Sequence, residues 1–389
     1  MIHDGDNSLL IMAYDLLFLD TDRWHLLNQR LRQALNLQPH QVLTNFSHTH
    51  AAPRISRWAY LDNPDLAYID RIEEASIAAA KEAAKNCVKV TAEVGEATST
   101  LPVSRRRYDP VTKTTLFLST DDEPTYNYIP FLLLRAESGQ VVSLLFSVSC
   151  HPSMMYENIV SADYPGPAVR LLNEKYNTNG ATFLQGAGGD SKPRTIARPD
   201  EWKRGDWADV EATGKIAADA VIAAIETGTT TVASGLLRTA LTETELPLQP
   251  PPDAATLDTI IYNPQTRVEK RLWASEFYYR LTLTGKLPAA VPLTVYGATL
   301  GDIFRIIAIP GEIVAEHASL VRTHFNSGIT MTLGYTNGTP IYIPCDRQIP
   351  YGGYEVDSSW EYHWPSDLAP GIDGRISAAV KELQAQLAI

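Results

Sequence analysis

What most constrains this chain is the way apolar runs alternate with amphipathic ones. VVSLLFSVSCH at 141–151 is nearly continuous in apolar residues and reads as a buried strand. PGPAVRLLNEKY at 165–176 opens on proline and carries its apolar residues at helical spacing. ATFLQGAGGD at 181–190 is again a strand, running into a glycine turn. The same alternation begins earlier, with strand SLLIMAYDLLFLD (8–20), helix WHLLNQRLRQALNL (24–37) and strand QVLTNFSHTH (41–50). LAYIDRIEEASIAAAKEAAKNC (66–87) is the clearest helix, rich in Ala, Glu and Lys. Strands interleaved with helices define an α/β fold: a mixed sheet covered by helices in a single large domain over residues 1–389.

The second half keeps this grammar with one interruption. ATGKIAADAVIAAIE (212–226) is helical, and the run at 230–248 alternates like exposed antiparallel strands. Proline-rich LPLQPPPDAATLD (246–258) introduces an insertion over about 247–290, an excursion within the domain and not a linker. Residues 302–325 read as strand, Pro-Gly turn and amphipathic helix, and the remainder is loop-rich until a final helix at 376–388. Hydrophobic residues at 44% and charged residues at 20% exclude disorder and fibrous repeats. A net charge of −12 argues against nucleic acid or an anionic membrane as partner, because both need basic surface. No apolar run approaches the roughly 18 residues of a membrane span. The apolar start lacks a basic region and a small-residue cleavage site, so it does not read as a signal peptide. Cys87, Cys150 and Cys345 read as buried apolar residues of a reducing compartment, or as one pair and a spare.

Chemistry gathers where strands end. His48 and His50 stand two apart in what reads as an extended segment, which projects both rings from one face. Such a pair offers a metal two imidazoles, or one ligand and one acid/base; surface histidines are the plain alternative. His151 follows a buried strand directly, and Glu312, in IPGE, follows another at what reads as the first turn of a helix. Two histidines and a carboxylate make the open tripodal set of a catalytic zinc, although each residue alone has a structural explanation. Asp163 and Asp190 are candidates for orienting a histidine or for capping the helices that follow. QGAGGD lacks the spacing of a phosphate loop, and the sequons at Asn45 and Asn337 carry weight only in a secreted protein. Arg105, Arg106 and Arg107 form a basic cluster: solvated surface, or an oxyanion partner if a metal lies near.

In order along the chain, NFSHTHAAP (45–53), SRRR (104–107), SCHPSMMYENIVSADYPG (149–166), FLQGAGGDSKPR (183–194), IPGE (309–312) and YTNGTPIYIP…GGYE (335–355) resemble the neutral/alkaline non-lysosomal ceramidase family. The likeness is to its short bacterial form, the catalytic domain without the C-terminal immunoglobulin-like domain. It implies a zinc amidase cleaving the linear amide of a small N-acyl substrate, with Zn2+ held by His48, His151 and Glu312. It also implies His50 beside the scissile group and Arg105, with Arg106 in reserve, facing the oxyanion. The family's tyrosine ligand falls on Ile349 here, which leaves Tyr354, Tyr351 or water to replace it. Lys192 stands where the family has a serine, and the family's opening strand and Ile-Thr-Pro segment are missing, so the start reads as truncated and leaves room for a leader. A zinc esterase or deacetylase acting on a non-lipid substrate, or a decayed member that binds without turnover, remain as alternatives. The resemblance implies sphingolipid metabolism; without a lipid-docking module, ceramide itself is not the favoured substrate. Compartment, beyond a cytoplasmic default, and oligomeric state are not readable from the residues.

Overall fold

Strands that are apolar on both faces must be covered on both, and this chain does so by stacking sheets. Successive residues of β8 (Tyr128–Ala136), β9 (Val141–Val148) and β15 (Phe304–Ala308) serve different cores. Leu132, Leu145 and Ile306 point into a shared core between sheets, while Phe131, Leu144 and Ile307 point outward under helices. The structure is a computed structural model, and it describes every residue except Asp6, Asp62, Tyr156, Glu157 and Ile389.

One sheet runs β10 (Ala181–Gln185), β9, β8, β4 (Val90–Thr98) and β12 (Thr231–Ala233), with α3 (Pro165–Tyr176) and α4 (Trp207–Glu226) on its outer face. The second runs β13 (Leu237–Pro247), β14 (Ala290–Leu300), β15 and β17 (Ile329–Leu333), under α7 (Ala315–Thr323) and α9 (Ile372–Leu387). A third, small sheet orders β1 (Ile2–Asp4), β2 (Asn7–Tyr14) and β3 (Val42–Phe46) beside α1 (Thr21–Leu35) and α2 (Leu66–Lys85). Three two-stranded ladders complete the frame: β5 (Pro102–Ser104) with β11 (Ser191–Pro193), β6 (Arg107–Asp109) with β7 (Thr114–Leu116), and β16 (Glu312–Ile313) with β18 (Tyr342–Ile343).

The fold is mixed α/β with sheets covered by helices, as the alternation indicates. The expectation of one sheet is corrected to two main sheets facing each other plus a small third. The 230–248 run is also less exposed than expected: β13 pairs antiparallel with β14, but Leu237, Ala240 and Leu246 are buried. Between these two strands the chain departs into α5 (Ala254–Tyr262) and α6 (Val268–Thr284), which share a small core of Leu257, Trp273, Ala274 and Phe277. The stretch read as loop holds β17, β18 and α8 (Tyr354–Asp357). β17 escaped notice because its ITMTL sequence alternates with buried Thr330 and Thr332 instead of continuing apolar.

β2–β3, β9–β10 and β15–β17 are the parallel pairs that position the site, each crossed over by a helix. Buried Asn45 ties the three together. Its Nδ2 donates to the carbonyls of Gln185 (3.2 Å) and Gly334 (2.9 Å) and to Thr336 Oγ1 (2.9 Å), and its Oδ1 accepts from the Gln185 amide at 2.8 Å. Asn337 is equally buried, its Oδ1 accepting from the Thr44 amide at 2.8 Å. Both sequon asparagines are thus internal pins, closed to a glycan in the folded chain. Of the cysteines, Cys150 and Cys345 are buried and Cys87 is exposed, all three free.

Candidate metal centre

The connections leaving these parallel strands meet at one point. His48 follows β3, His151 follows β9, the glycine turn follows β10, Glu312 follows β15 and Tyr335 follows β17. This obeys the rule that open α/β sheets build sites beyond strand carboxyl ends. The local backbone differs from the sequence expectation in two places. β3 stops at Phe46, and His48 sits at φ 64, so the turn of the chain, not strand alternation, brings its ring within 5.0 Å of the His50 ring centroid. Glu312 lies in β16, three residues before α7, and is held by pairing with Tyr342 instead of by a helix terminus. A left-handed backbone at a histidine is costly, and Tyr335 at φ 51 shares it; both occur where side chains converge. The glycine turn is needed for contact: a Cβ on Gly189 would lie 2.8 Å from the carbonyl oxygens of Glu312 and Ile313.

Three rings come together here, with one nitrogen each from His48, His50 and His151 within 4.8 Å of the others. His48 Nδ1 faces the Leu17 carbonyl at 3.1 Å and His151 Nδ1 faces the Gly188 carbonyl at 2.7 Å. A carbonyl only accepts, so both Nδ1 atoms carry the hydrogen. Each Nε2 then points at Glu312 Oε2, at 3.2 Å from His48 and 3.4 Å from His151. Burial, with the Arg105 charge, lowers His151 to about 3, so at neutral pH its Nε2 presents a lone pair. Burial alone would raise the Glu312 carboxyl, but positive charge at the two imidazole positions holds it well below the usual carboxylate range. A lone pair facing a buried carboxylate is repulsive unless a cation lies between them. The 3.2 and 3.4 Å spacings also match the edge of about 3.3–3.4 Å of a tetrahedron with bonds of about 2.0–2.1 Å. Donor type, tautomer and spacing therefore fit a metal ion, and the backbone carbonyls on Nδ1 act as outer partners of metal-binding histidines do.

Tyrosines finish the surround of Glu312. Tyr335 donates to Oε2 at 3.2 Å, and the Tyr362 hydroxyl donates to Oε1. Tyr342 donates to the Gly189 carbonyl at 2.8 Å and lies 3.3 Å from His151 Nε2. Sequence reasoning missed Tyr335 and Tyr362 as site residues. Tyr335 obeys the strand-end rule already applied to the histidines; Tyr362 depends on a turn that periodicity does not reveal. Tyr354 lines the cavity, but its hydroxyl donates to Glu361 at 2.8 Å. Tyr351 is exposed, with its carbonyl accepting from Thr115.

A cavity of about 360 Å3 opens on these groups, lined also by Phe18, Trp58, Phe117, Arg105 and Lys192. His50 is the exposed member of the three histidines, and burial of its surroundings together with its two neighbouring rings pushes it well below the usual histidine range. Buried Arg105 lines this cavity, donating to Glu355 at 2.7 Å and to the Tyr342 hydroxyl at 2.5 Å. Arg106 pairs with the same Glu355 and the Gly352 carbonyl and lines a separate recess beside Tyr351. Neither aspartate singled out in the sequence is bonded to a histidine. Asp163 accepts from the Met154, Met155 and Tyr164 amides, fixing the loop after His151. Asp190 accepts from the Ala315 amide and Gln348 Nε2, and burial raises it to about 6. Recesses of about 890 and 510 Å3 lie elsewhere and include none of these groups, whereas one of about 600 Å3 adjoins the cavity and shares Phe18, Trp58 and Tyr362 with it.

Sheets and crossovers together make a neutral ceramidase-like fold. The solved neutral ceramidase from Pseudomonas aeruginosa superposes with a TM-score of 0.68 at 13% identity, over 96% of this chain and 65% of that one. A ceramidase complexed with C2 gives 0.69 at 11% identity, over 96% and 67%. The chain thus spans about two thirds of the length of these neighbours. No family pattern matches the sequence, and no curated protein matches it.

Proposed function

We propose that this chain is a zinc-dependent amidohydrolase that cleaves the amide bond of an N-acyl substrate. The observation that carries this reading is the pair of Nε2 atoms aimed at one oxygen of Glu312, beside an exposed histidine and a buried arginine. His48, His151 and Glu312 would hold the ion; the Tyr335 and Tyr362 hydroxyls orient the carboxylate, and Tyr354 borders the cavity without being pointed at the donors. When bound, zinc lowers the pKa of water and polarises a carbonyl, the two contributions that bring amide hydrolysis within reach at neutral pH. His50, kept neutral by its surroundings, accepts the proton of the attacking water and returns it to the leaving amine. Arg105, fixed by Glu355 and Tyr342, offers its guanidinium to the oxygen that gains charge; Arg106 acts from behind by sharing Glu355. Aromatic side chains of Phe18, Trp58 and Phe117 keep the reacting centre poor in water.

The ceramidase neighbours support the amide as the bond attacked, and the cavity, of about 360 Å3, has the size of a small-molecule site. Metal analysis of the purified protein, combined with hydrolysis of N-acyl probes of graded chain length and of the matching esters, tests the reading. Near-stoichiometric zinc with amide turnover that stops on chelation and returns with zinc is expected. Ester turnover alone would change the bond, and zinc without any turnover would make this a binding protein.

A further inference from the structure

The recess of about 600 Å3 beside the metal centre has no part in the amidohydrolase scheme. It adjoins the catalytic cavity along Phe18, Trp58 and Tyr362, and Phe18 stacks at 6.1 Å on His48 and at 6.0 Å on Tyr362. It therefore begins one aromatic ring away from the metal donors. Trp58 and Tyr362 are half-buried, so a ligand laid over their edges reaches both recesses. The remaining walls carry both signs of charge: the carboxylates of Asp20, Asp22, Glu276 and Glu361 and the guanidinium groups of Arg57 and Arg280. Protein partners hold most of them in place. Arg57 gives Nε to Asp20 at 3.1 Å and one Nη to Asp22 at 2.8 Å. The Tyr60 hydroxyl donates to Glu276 Oε2 at 2.6 Å, His363 Nδ1 lies 3.3 Å from the same oxygen, and Tyr354 donates to Glu361 at 2.8 Å. These bonds fix the groups without exhausting them, since a guanidinium has five N–H donors and a carboxylate about four acceptor positions.

Thr339 adds a buried hydroxyl. It borders the recess two residues after the pinned Asn337, and among the described residues its Oγ1 has no hydrogen-bond partner. Buried polar atoms nearly always have one. The backbone around the recess is strained as well: Ala59, Tyr60 and His363 stand at φ 56, 56 and 61, and the Tyr60 and His363 rings stack at 4.1 Å. Conformations of this kind gather at ligand clamps. An ammonium only donates and would face two guanidinium groups, while a carboxylate only accepts and would face four of its own kind. A hydrocarbon chain would leave both kinds of wall without partners. A hydroxyl both donates and accepts, so several on one frame serve all the walls at once. We propose, resting on the amidohydrolase reading, that this recess seats a polyhydroxylated half of the N-acyl substrate, a sugar- or polyol-like group, while the amide lies at the metal centre. The volume of about 600 Å3 falls within the roughly 300–1,000 Å3 of small-molecule sites.

The test compares matched pairs on the zinc-loaded protein. N-butyrylglucosamine against N-butyrylcyclohexylamine places the hydroxyls on the amine half, and N-butylgluconamide against N-butylhexanamide places them on the acyl half. At least one pair should show a kcat/KM preference of about tenfold or more for the hydroxylated member, and that pair identifies the half. The preference should fall about fivefold in Thr339→Val and about tenfold in Arg280→Met, the size of one hydrogen bond lost to a neutral and to a charged partner. Arg280 is exposed on α6, so its variant decides the matter if Thr339→Val does not fold. Equal turnover within both pairs, a preference that survives both substitutions, or faster turnover of N-butyrylputrescine than of either hydroxylated compound overturns the proposal. If no amide is hydrolysed, the amidohydrolase reading fails, and calorimetric binding of N-butyrylglucosamine and N-butylgluconamide still decides this one. Binding of either about tenfold weaker in Arg280→Met supports it, and equal or absent binding to both proteins overturns it.

Discussion

Glu312 spends both oxygens inside the protein, one on the Tyr362 hydroxyl and the other facing His48, His151 and Tyr335. Removing an outer partner of a metal carboxylate typically costs about 10–100-fold in affinity. Tyr362→Phe should therefore weaken zinc binding by about that factor while the fold is kept, measured by competition with a chromophoric chelator. His48→Ala and His151→Ala should each drop zinc well below one per chain. His50→Ala is expected to keep its zinc and its melting temperature while kcat falls by about 10²–10⁴; loss of metal there would make His50 a ligand instead. The candidate residues were legible because strand ends can be read from hydropathy, and His48, His151 and Glu312 each follow an apolar run. The positive φ of His48 and the convergence of Tyr362 were not legible, since both depend on tertiary contacts that periodicity does not report; Tyr362 reaches Glu312 across 50 positions.

At the scale of elements, the site depends on strands of separate sheets keeping register. Asn45 supplies that register by bonding the end of β3 to β10 and to the turn after β17. Each buried polar group left without its partner costs about 1–3 kcal/mol. Asn45→Ala should lower stability by several kcal/mol, on the order of 3 or more, and weaken zinc binding, although Asn45 is not among the donors. Thermal melts and zinc titration check the two effects together. Gly189→Ala acts from the opposite side: its methyl would push on the backbone carbonyls of Glu312 and Ile313, each 2.8 Å away, and the expected outcome is weaker metal binding with a marked loss of stability. The strands β2, β3, β9, β10 and β15 and the helices α1 to α4, α7 and α9 could be read from sequence, whereas α5 and α6 of the insertion and the long strands β4, β8 and β14 were not. The two-sheet stack could not, because an apolar strand face looks the same beneath a helix and beneath another sheet.

For the whole molecule, protons compete with folding. His151 titrates near 3 in the folded metal-free chain and near about 6.5 when unfolded, so the unfolded chain takes a proton that the folded one refuses. Stability is fully present above about pH 6.5 and is lost as pH falls toward 3, by roughly 3–5 kcal/mol at the limit. The depressed Glu312 carboxyl adds to the loss at the acid end, below the usual carboxylate range. Asp190, raised to about 6, works in the opposite sense, gaining its proton first in the folded state. The melting temperature of chelated protein should fall between pH 6.5 and 4. His151→Gln should flatten that fall and Asp190→Asn should steepen it, as differential scanning calorimetry would record. Zinc bound at the proposed site would add stability in proportion to the logarithm of its free concentration over Kd.

The donors come from three separate sheets and from opposite ends of the chain, His48 near the start and Glu312 beyond three quarters of its length. A ribosome must therefore have released residue 312 before the full set can exist, and the tyrosines that steady it emerge later still. Early segments of a nascent chain hold at most the histidines, a weaker and less selective pair for metal. Metal loading of the proposed site would thus follow translation of residue 312 and of the tyrosines around it, and a tightly metallated state would report a chain whose separate sheets have already assembled.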